Sequence, residues 1–485
     1  MKLTMTLFVL IFIQLGFAKV ARAQDCNCDH RIELGENRVD GSAWAPGETV
    51  CIMAGDRPDL VISNFSGSAS NYITIINCDG KVRTGSPDAG VGFAINNGKY
   101  FHLTGTGHSD FEYGIEVTGS RSGAQGLAIG SFSTDFEVDH IEIHNAGFAG
   151  IMSKTDPSCD EVDLTYFTQE NCHFHHNYIH HVGGEGFYIG YTFYPEREYT
   201  CDGQQVILRG HPMRNISVTD NIIENTDLDG IQMSAVISGA LIARNIVWNF
   251  AVENETYQNQ GIQIGSGTSG EITRNFIASG PGIGIFWLGW GGAHIHNNII
   301  YETGSDGINC QDRTETAQPP FIFEHNTIIR PGRDGIRMHS TLAAGNRFTN
   351  NLIVDPGEAF ETHFGDFDFT VEGNTYLDSE GEAGFVSSSD FHLTADSPAI
   401  NAGTAAHTSD YDYDGRLRDS SPDSGAFCFE GAASSEQSGP AFSTWLENAG
   451  SSDGCSCKSP TQSKTHNIPI YILFSLIAII LRRRF

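Results

Sequence analysis

The sequence predicts an all-β chain wound as a right-handed parallel β-helix, a single-stranded solenoid with N- and C-terminal caps. Three observations carry this. Asn-x-[Ile/Val] anchors stand at Asn177, Asn221, Asn245, Asn275, Asn298, Asn326 and Asn351, at spacings of 44, 24, 30, 23, 28 and 25 residues. A base period near 23–25 with insertions is a repeat signature. After most anchors comes Gly-[Ile/Phe]-x-[Ile/Met], at 186–189, 230–233, 261–264 and 335–338, with Gly307-Ile308-Asn309-Cys310 and Gly150-Ile151-Met152 as variants. Between them run short alternating apolar stretches such as ISVTDNII (216–223) and EITRNFIA (271–278), which have the period of strands. No unit has room for an amphipathic helix, and short strands cannot bury their own faces. Stacking coil on coil does so.

Within a coil, Ile231 and Met233 are expected to point inward and Gln232 outward. Gly230 marks a turn that needs positive φ or close approach of two backbones. Asn221 falls at the preceding bend, where its amide can satisfy backbone groups and pair with the asparagines above and below.

The ends read differently. Residues 1–23 have a lysine, a short apolar run and Ala21-Arg22-Ala23, the pattern of a secretory signal peptide. The solenoid with its caps is expected over 24–430, and a Gly/Ser-rich linker over 431–454. Residues 455–485 hold a Cys-x-Cys, an apolar stretch from Ile468 to Leu481 and an arginine cluster. That stretch is shorter than the ~20 residues of a membrane span.

The signal and tail carry eight of the 28 basic residues and no acid, leaving 20 bases against 59 acids and a net charge of −39 between them. Such a surface repels nucleic acid and anionic lipid and suits divalent cations. Nine cysteines fall in this body. In an exported chain Cys159, Cys172 and Cys201 could staple a polar insertion, and Cys51 with Cys78 is a second plausible pair. The odd count leaves at least one thiol outside any internal pair.

The segment APGETVCIMAGDRPDLVISNFSGSASNYITIINCDGKV (45–82) resembles the opening coils of carbohydrate-active, pectate-lyase-like β-helix proteins. FHLTADSPAINAGT (391–404) and DYDYDGRLRDSSPDSGAFCFE (410–430) resemble the closing cap of the same group. IHHVGGEGFYIG and NTDLDGIQ are similar to an uncharacterised bacterial branch. The tail from Gly454 resembles the MYXO-CTERM type of sorting signal, which implies export, processing by sorting machinery and anchoring at the bacterial outer membrane or cell surface. The resemblance implies a polysaccharide ligand and does not name an activity. Asn225-Thr226-Asp227 matches one polygalacturonase element, but the Gly-Asp-Asp and Gly-His-Gly elements are missing. Lys154, Arg333 and Arg337 could supply the base of a lyase, but no lyase motif surrounds them.

The residue before each Gly-[Ile/Phe] is Glu185, Asp229, Gln260, Asp306, Asp334 and, by looser alignment, Glu358. In register these form an acidic column with Glu185 and Asp229 as neighbours, about 4.8 Å apart along the axis. Three readings stay open: repeated Asp-Gly turn chemistry, metal or sugar binding, and catalysis by paired carboxylates. His181 is the first candidate for proton transfer beside the pair, with Asp306 and Asp334 as further substrate contacts. NCHFHHNYIHH (171–181) places His173 and His175 on one strand face, a pattern open to metal. Trp287 and Trp290 are candidate sugar platforms, or core. Asp410, Asp412 and Asp414 before Gly415 resemble the start of a calcium loop, although Ser421 stands where its closing Glu belongs; calcium is the expected cofactor there if any.

Two functions follow. One is an exported, monomeric β-helix protein that binds and cleaves an extracellular polysaccharide by hydrolysis or elimination. The other is a non-catalytic adhesin or envelope module.

Overall fold

A computed structural model of the chain describes residues 26–290, 292–311, 318–339, 342–357, 359–363, 369–430 and 436–442. Each coil contributes three strands, and successive coils stack them into three parallel sheets. One coil has Gln169–His175, Tyr178–Val182 and Phe187–Ile189. The next repeats them at Met213–Thr219, Ile222–Thr226 and Ile231–Met233. The register sets Phe174 against Val218, Ile179 against Ile223 and Ile189 against Met233. These inward side chains belong to one core that runs from Ile32 to Ile353.

Two rows of left-handed residues bend the chain at every coil. His176, Asp220, Arg244, Arg274, Asn297 and His325, at φ of 53°, 58°, 57°, 55°, 54° and 53°, separate the first sheet from the second. Asn145, His181, Asn225 and Asn249, at 54°, 52°, 54° and 48°, close the second sheet. L-residues visit this region singly, and asparagine most readily.

The anchor asparagines follow the first row and form a buried ladder. Each Nδ2 donates to the Oδ1 of the next coil: Asn177 to Asn221, Asn221 to Asn245, Asn245 to Asn275 and Asn275 to Asn298, all at 2.9–3.0 Å. The same Oδ1 also accepts the backbone N–H of the preceding anchor. The glycine of the second motif answers to close approach and not to positive φ. A Cβ on Gly230 would lie 2.4 Å from Val247 Cγ1 and 2.6 Å from the Gly261 oxygen.

The disulfides depart from the expected pairing. Cys51 and Cys78 are not joined to each other; Cys28 bonds Cys51 and Cys26 bonds Cys78. Strand register is the reason, since it sets Cys51 against Ile76 and Cys78 against Met53. Cys159 bonds Cys201 and ties together two insertions that follow strands of the third sheet. Cys172 points into the core and takes no part in that staple. Because the tie lies outside the coils, Cys159→Ser is expected to leave their cooperative unfolding within about 1 kcal/mol. Limited proteolysis should then cut faster within 154–212 while the rest of the chain stays resistant.

The C-terminal cap runs back along the solenoid. Asn350 Nδ2 donates to the carbonyls of Thr404 and His407 at 3.0 and 2.6 Å, and Asn297 Nδ2 to that of Tyr411 at 2.9 Å. Residues 436–442, expected within a linker, pack as well: Phe442 stacks on Phe276 at 4.5 Å and Glu436 pairs with Arg274 at 3.0 Å. The packed body therefore reaches Phe442 and does not stop at 430. No helix among the described residues is long and apolar enough to cross a membrane. The signal segment and the sorting tail lie outside those residues.

Candidate functional site

The third sheet has one outward residue per strand. Tyr188, Gln232, Gln263, Phe286, Asn309 and Arg337 follow one another in register. Beside this row runs the predicted column. Gly186 N–H donates to the Asp229 carbonyl at 3.0 Å, and Gly230 N–H to that of Gln260 at 3.0 Å. Glu185 and Asp229 are thus neighbours one coil apart, as the repeat alignment requires. Gln260 follows, then Ile283, Asp306 and Asp334.

The carboxylates lie outside the tube. Asp229 Oδ2 accepts from the outward Gln263 Nε2 at 2.8 Å, and Asp229 Oδ1 from the Gln260 N–H at 2.8 Å. They are not an open stripe, however. Glu185 and Asp229 are both 0% exposed. Flanking segments enclose them. Gln258, half-buried on the loop after the second sheet, donates to Glu185 Oε1 at 3.2 Å. From the other side, Thr192 bonds Tyr188 at 2.6 Å and Gln232 at 3.3 Å. Lys154 lies 4.4 Å over the Tyr188 ring and pairs with Asp156 at 2.7 Å.

Enclosure sets the electrostatics. Burial pushes Glu185 up to about 7, although Lys154 and Gln258 oppose it. Burial and then the neighbouring Glu185 raise Asp229 well above the carboxylate range. Burial alone would lower the Lys154 ammonium, but Tyr188, Asp156 and Glu185 outweigh it and the net shift is upward. One oxygen of the pair, Glu185 Oε2, is buried without a hydrogen-bond partner among the described residues. A buried unpaired acceptor is costly unless the group is protonated or receives a ligand.

The other predicted residues fall in separate places. Asp306 is held by Arg333 through two bonds at 2.7 and 2.6 Å and by Asn309 at 2.6 Å. Asp334 pairs with Arg337 at 2.7 Å. These acids share the column but are already neutralised. His181 is exposed at the left-handed bend of its coil, its ring against His180, and no hydrogen bond or ion pair described for it reaches Glu185 or Asp229. Trp287 is 1% exposed and fills the core, so it is no platform. Trp290 is partly exposed and packs 5.8 Å from Tyr194 on the neighbouring insertion.

The three acids of DYDYDG have separate surroundings. Asp412 accepts the backbone N–H groups of Arg416 and Cys428 at 2.7 and 2.9 Å. Asp414 bonds His392 at 2.8 Å. Asp410 lines a cavity of ≈ 670 Å³ on the first sheet, with Glu271, His294, His296, Glu324 and Arg347. Within that cavity Glu324 pairs with Arg347 at 2.9 Å and Glu271 with His296 at 2.7 Å. Glu358 lies outside the described residues.

Sequence reasoning missed Gln258 and Thr192, which reach the site from insertions with no repeat to align. The signal for them was the length of those insertions, not their residues.

The family model described as right handed beta helix region matches residues 214–376. No curated protein matches the chain in sequence. Among solved structures it is similar to the pectate lyase Pel9A, at 18% identity and a TM-score of 0.47 over 79% of this chain and 88% of that one. It is also similar to a GH136 lacto-N-biosidase from Eubacterium ramulus, at 12% identity and a TM-score of 0.46 over 69% and 62%. A third is the A-module of the mannuronan C-5 epimerase AlgE4 from Azotobacter vinelandii, at 12% identity and a TM-score of 0.37 over 69% and 88%.

Proposed function

We propose that this right-handed parallel β-helix is exported, tethered at the cell surface by its processed tail, and binds an extracellular polysaccharide along the outer flank of its third sheet. In this reading Glu185 and Asp229 cleave the chain by glycosidic hydrolysis. One observation supports this most: two carboxyls stacked one coil apart, Glu185 raised to about 7 and carrying a partnerless oxygen. A carboxylic acid that keeps its proton near neutrality is what a leaving glycosidic oxygen requires. The two groups titrate as a pair, so the first proton lost leaves one acid and one carboxylate. Lys154 beside Glu185 favours ionisation on that side, and Gln258 is the half-buried group through which Glu185 is reached. Tyr188, Trp290 and Tyr194 offer rings for sugar faces, and Gln232, Gln263 and Asn309 offer amides for hydroxyls.

Complete enclosure of both carboxyls favours a second reading, a surface module that holds glycan without cutting it. A panel of neutral and uronic polysaccharides separates the two, read by reducing ends for hydrolysis and by ultraviolet absorbance for elimination. The proposal expects reducing ends from at least one glycan, and a loss of at least about 100-fold in Glu185→Gln and Asp229→Asn. Binding without products would establish the second reading. Neither binding nor products would overturn both.

A further inference from the structure

The first sheet holds a separate constellation. Its outward residues in three successive coils are His102 and Thr104, Glu137 and Asp139, then His173 and His175, paired in register. Contacts run along the diagonals. His102 Nε2 meets Asp139 Oδ2. His175 Nε2 lies 2.6 Å from Glu137 Oε1 and 3.9 Å from Asp139 Oδ2. One donor atom from each of His102, Glu137 and Asp139 falls within 4.8 Å of the other two.

We propose that His102, Glu137, Asp139 and His175 bind a divalent first-row metal ion of the Zn²⁺ class. An ion bound at ~2.0–2.2 Å to nitrogen and oxygen separates neighbouring tetrahedral donors by roughly 3.3 Å. Three of the donors already lie within 4.8 Å of one another, and His175 adjoins two of them through Glu137 Oε1 and Asp139 Oδ2. Two imidazole nitrogens select against calcium, which takes oxygen ligands, and for zinc and its neighbours.

The surroundings orient these groups as they would around a metal. Asp139 is 3% exposed, and its other oxygen, Oδ1, is bonded by Thr104 Oγ1 at 2.6 Å and His140 Nδ1 at 2.6 Å. That leaves Oδ2 for the site. His175 Nδ1 faces His176 Nδ1 at 2.9 Å, and the His176 ring stacks on His140 at 5.5 Å. Metal-binding side chains are commonly fixed in this way by a second layer of hydrogen bonds.

Charge separates this cluster from two similar ones. Among the described residues, every ion pair of Glu137 and Asp139 is to a histidine. In the cavity cluster Glu324 already has Arg347. On the second sheet Glu116 and Glu142 share Lys81 at 3.0 and 2.8 Å. Among the described residues, this is the cluster in which two carboxylates face imidazoles with no lysine or arginine paired to either, so its charge favours a cation. His173 does not join; its Nδ1 is within 2.8 Å of Ser217 Oγ.

The test is calorimetric titration of the chelator-treated full chain with Zn²⁺ and, separately, Ca²⁺. Bound metal is counted by elemental analysis after dialysis. One Zn²⁺ per chain is expected, with sub-micromolar Kd, and Ca²⁺ should not compete. His102→Ala and His175→Ala, whose rings are partly exposed and whose loss leaves the core intact, should each weaken binding at least about 100-fold and abolish the rise in Tm that Zn²⁺ gives. His294→Ala, in the other histidine cluster, should bind as the unaltered chain does. Millimolar binding, or binding that survives in both variants or disappears in His294→Ala, overturns the proposal.

Discussion

Asn245→Leu is expected to destabilise the solenoid by about 3–5 kcal/mol, enough to unfold a marginal chain. The magnitude follows from what the amide does. Its Nδ2 lies 2.8 Å from the Val218 oxygen, 3.2 Å from that of Ala243 and 2.9 Å from Asn275 Oδ1. Its Oδ1 accepts both the N–H and the Nδ2 of Asn221 at 3.0 Å. Leucine has as many side-chain heavy atoms and is bulkier, so the cost is not a cavity. It is the stranding of buried polar groups in two neighbouring coils, each with a desolvation penalty. Asn374 at the end of the ladder is half-buried and donates only to the Phe348 oxygen at 2.7 Å among the described bonds. Its Oδ1 accepts the N–H and Nδ2 of Asn351 at 2.8 and 2.9 Å, so three bonds are lost in place of five and Asn374→Leu should cost less. Urea unfolding of the two variants beside the unaltered chain measures the difference.

Glu185→Gln is expected to stabilise the protein at pH 8 and to do nothing for it at pH 4. Glu185 is raised from 4.5 to about 7 in the folded state. A group raised on folding contributes stability that is fully present below its unfolded pKa and is lost as pH rises through the folded value. The loss thus develops between the ordinary glutamate range and about pH 7, and amounts to about 3 kcal/mol for this one group. Asp229 shifts the same way and adds to it. Glutamine has the shape of the protonated acid and cannot ionise, so the Glu185 share of the alkaline loss disappears with it. Tm recorded across pH should show the variant falling less than the unaltered chain, by a few degrees at pH 8, with the remaining fall belonging to Asp229. Such a gain in stability on removing an acid is the pattern of a functional group held against its preference.

The winding was legible because it is written in spacing. Asn221, Asn245 and Asn275 recur at the coil length, and the structure stacks their amides as the repeat implies. The adjacency of Glu185 and Asp229 follows from the same alignment. Exposure was not legible. Whether a side chain on the flank is open depends on insertions such as the loop carrying Gln258, which obey no period. For the same reason Trp287 read equally well as platform or core, since its alternation places it inward but its Gly-rich neighbours suggest a surface. The metal cluster lay in FHLT, FEVD and HFHH (101–104, 136–139 and 173–176), which align only once the register of the first sheet is known. His173 and His175 were visible as strand neighbours, and their carboxylate partners were not. The disulfides failed for a related reason: parallel strands set Cys51 opposite Ile76, which no count of cysteines reveals.

The most direct test of the central claim, that Glu185 and Asp229 are working acids and not packing, is the pH profile of polysaccharide hydrolysis. It should be measured for the unaltered chain and for Glu185→Gln from about pH 5 to 9. Turnover should rise as pH passes through about 7, where the pair loses its first proton and becomes one acid and one carboxylate, and Glu185→Gln should show no such limb because it has no turnover to gain. Hydrolysis by Glu185→Gln at the unaltered rate, with the same rise through about pH 7, would contradict the account.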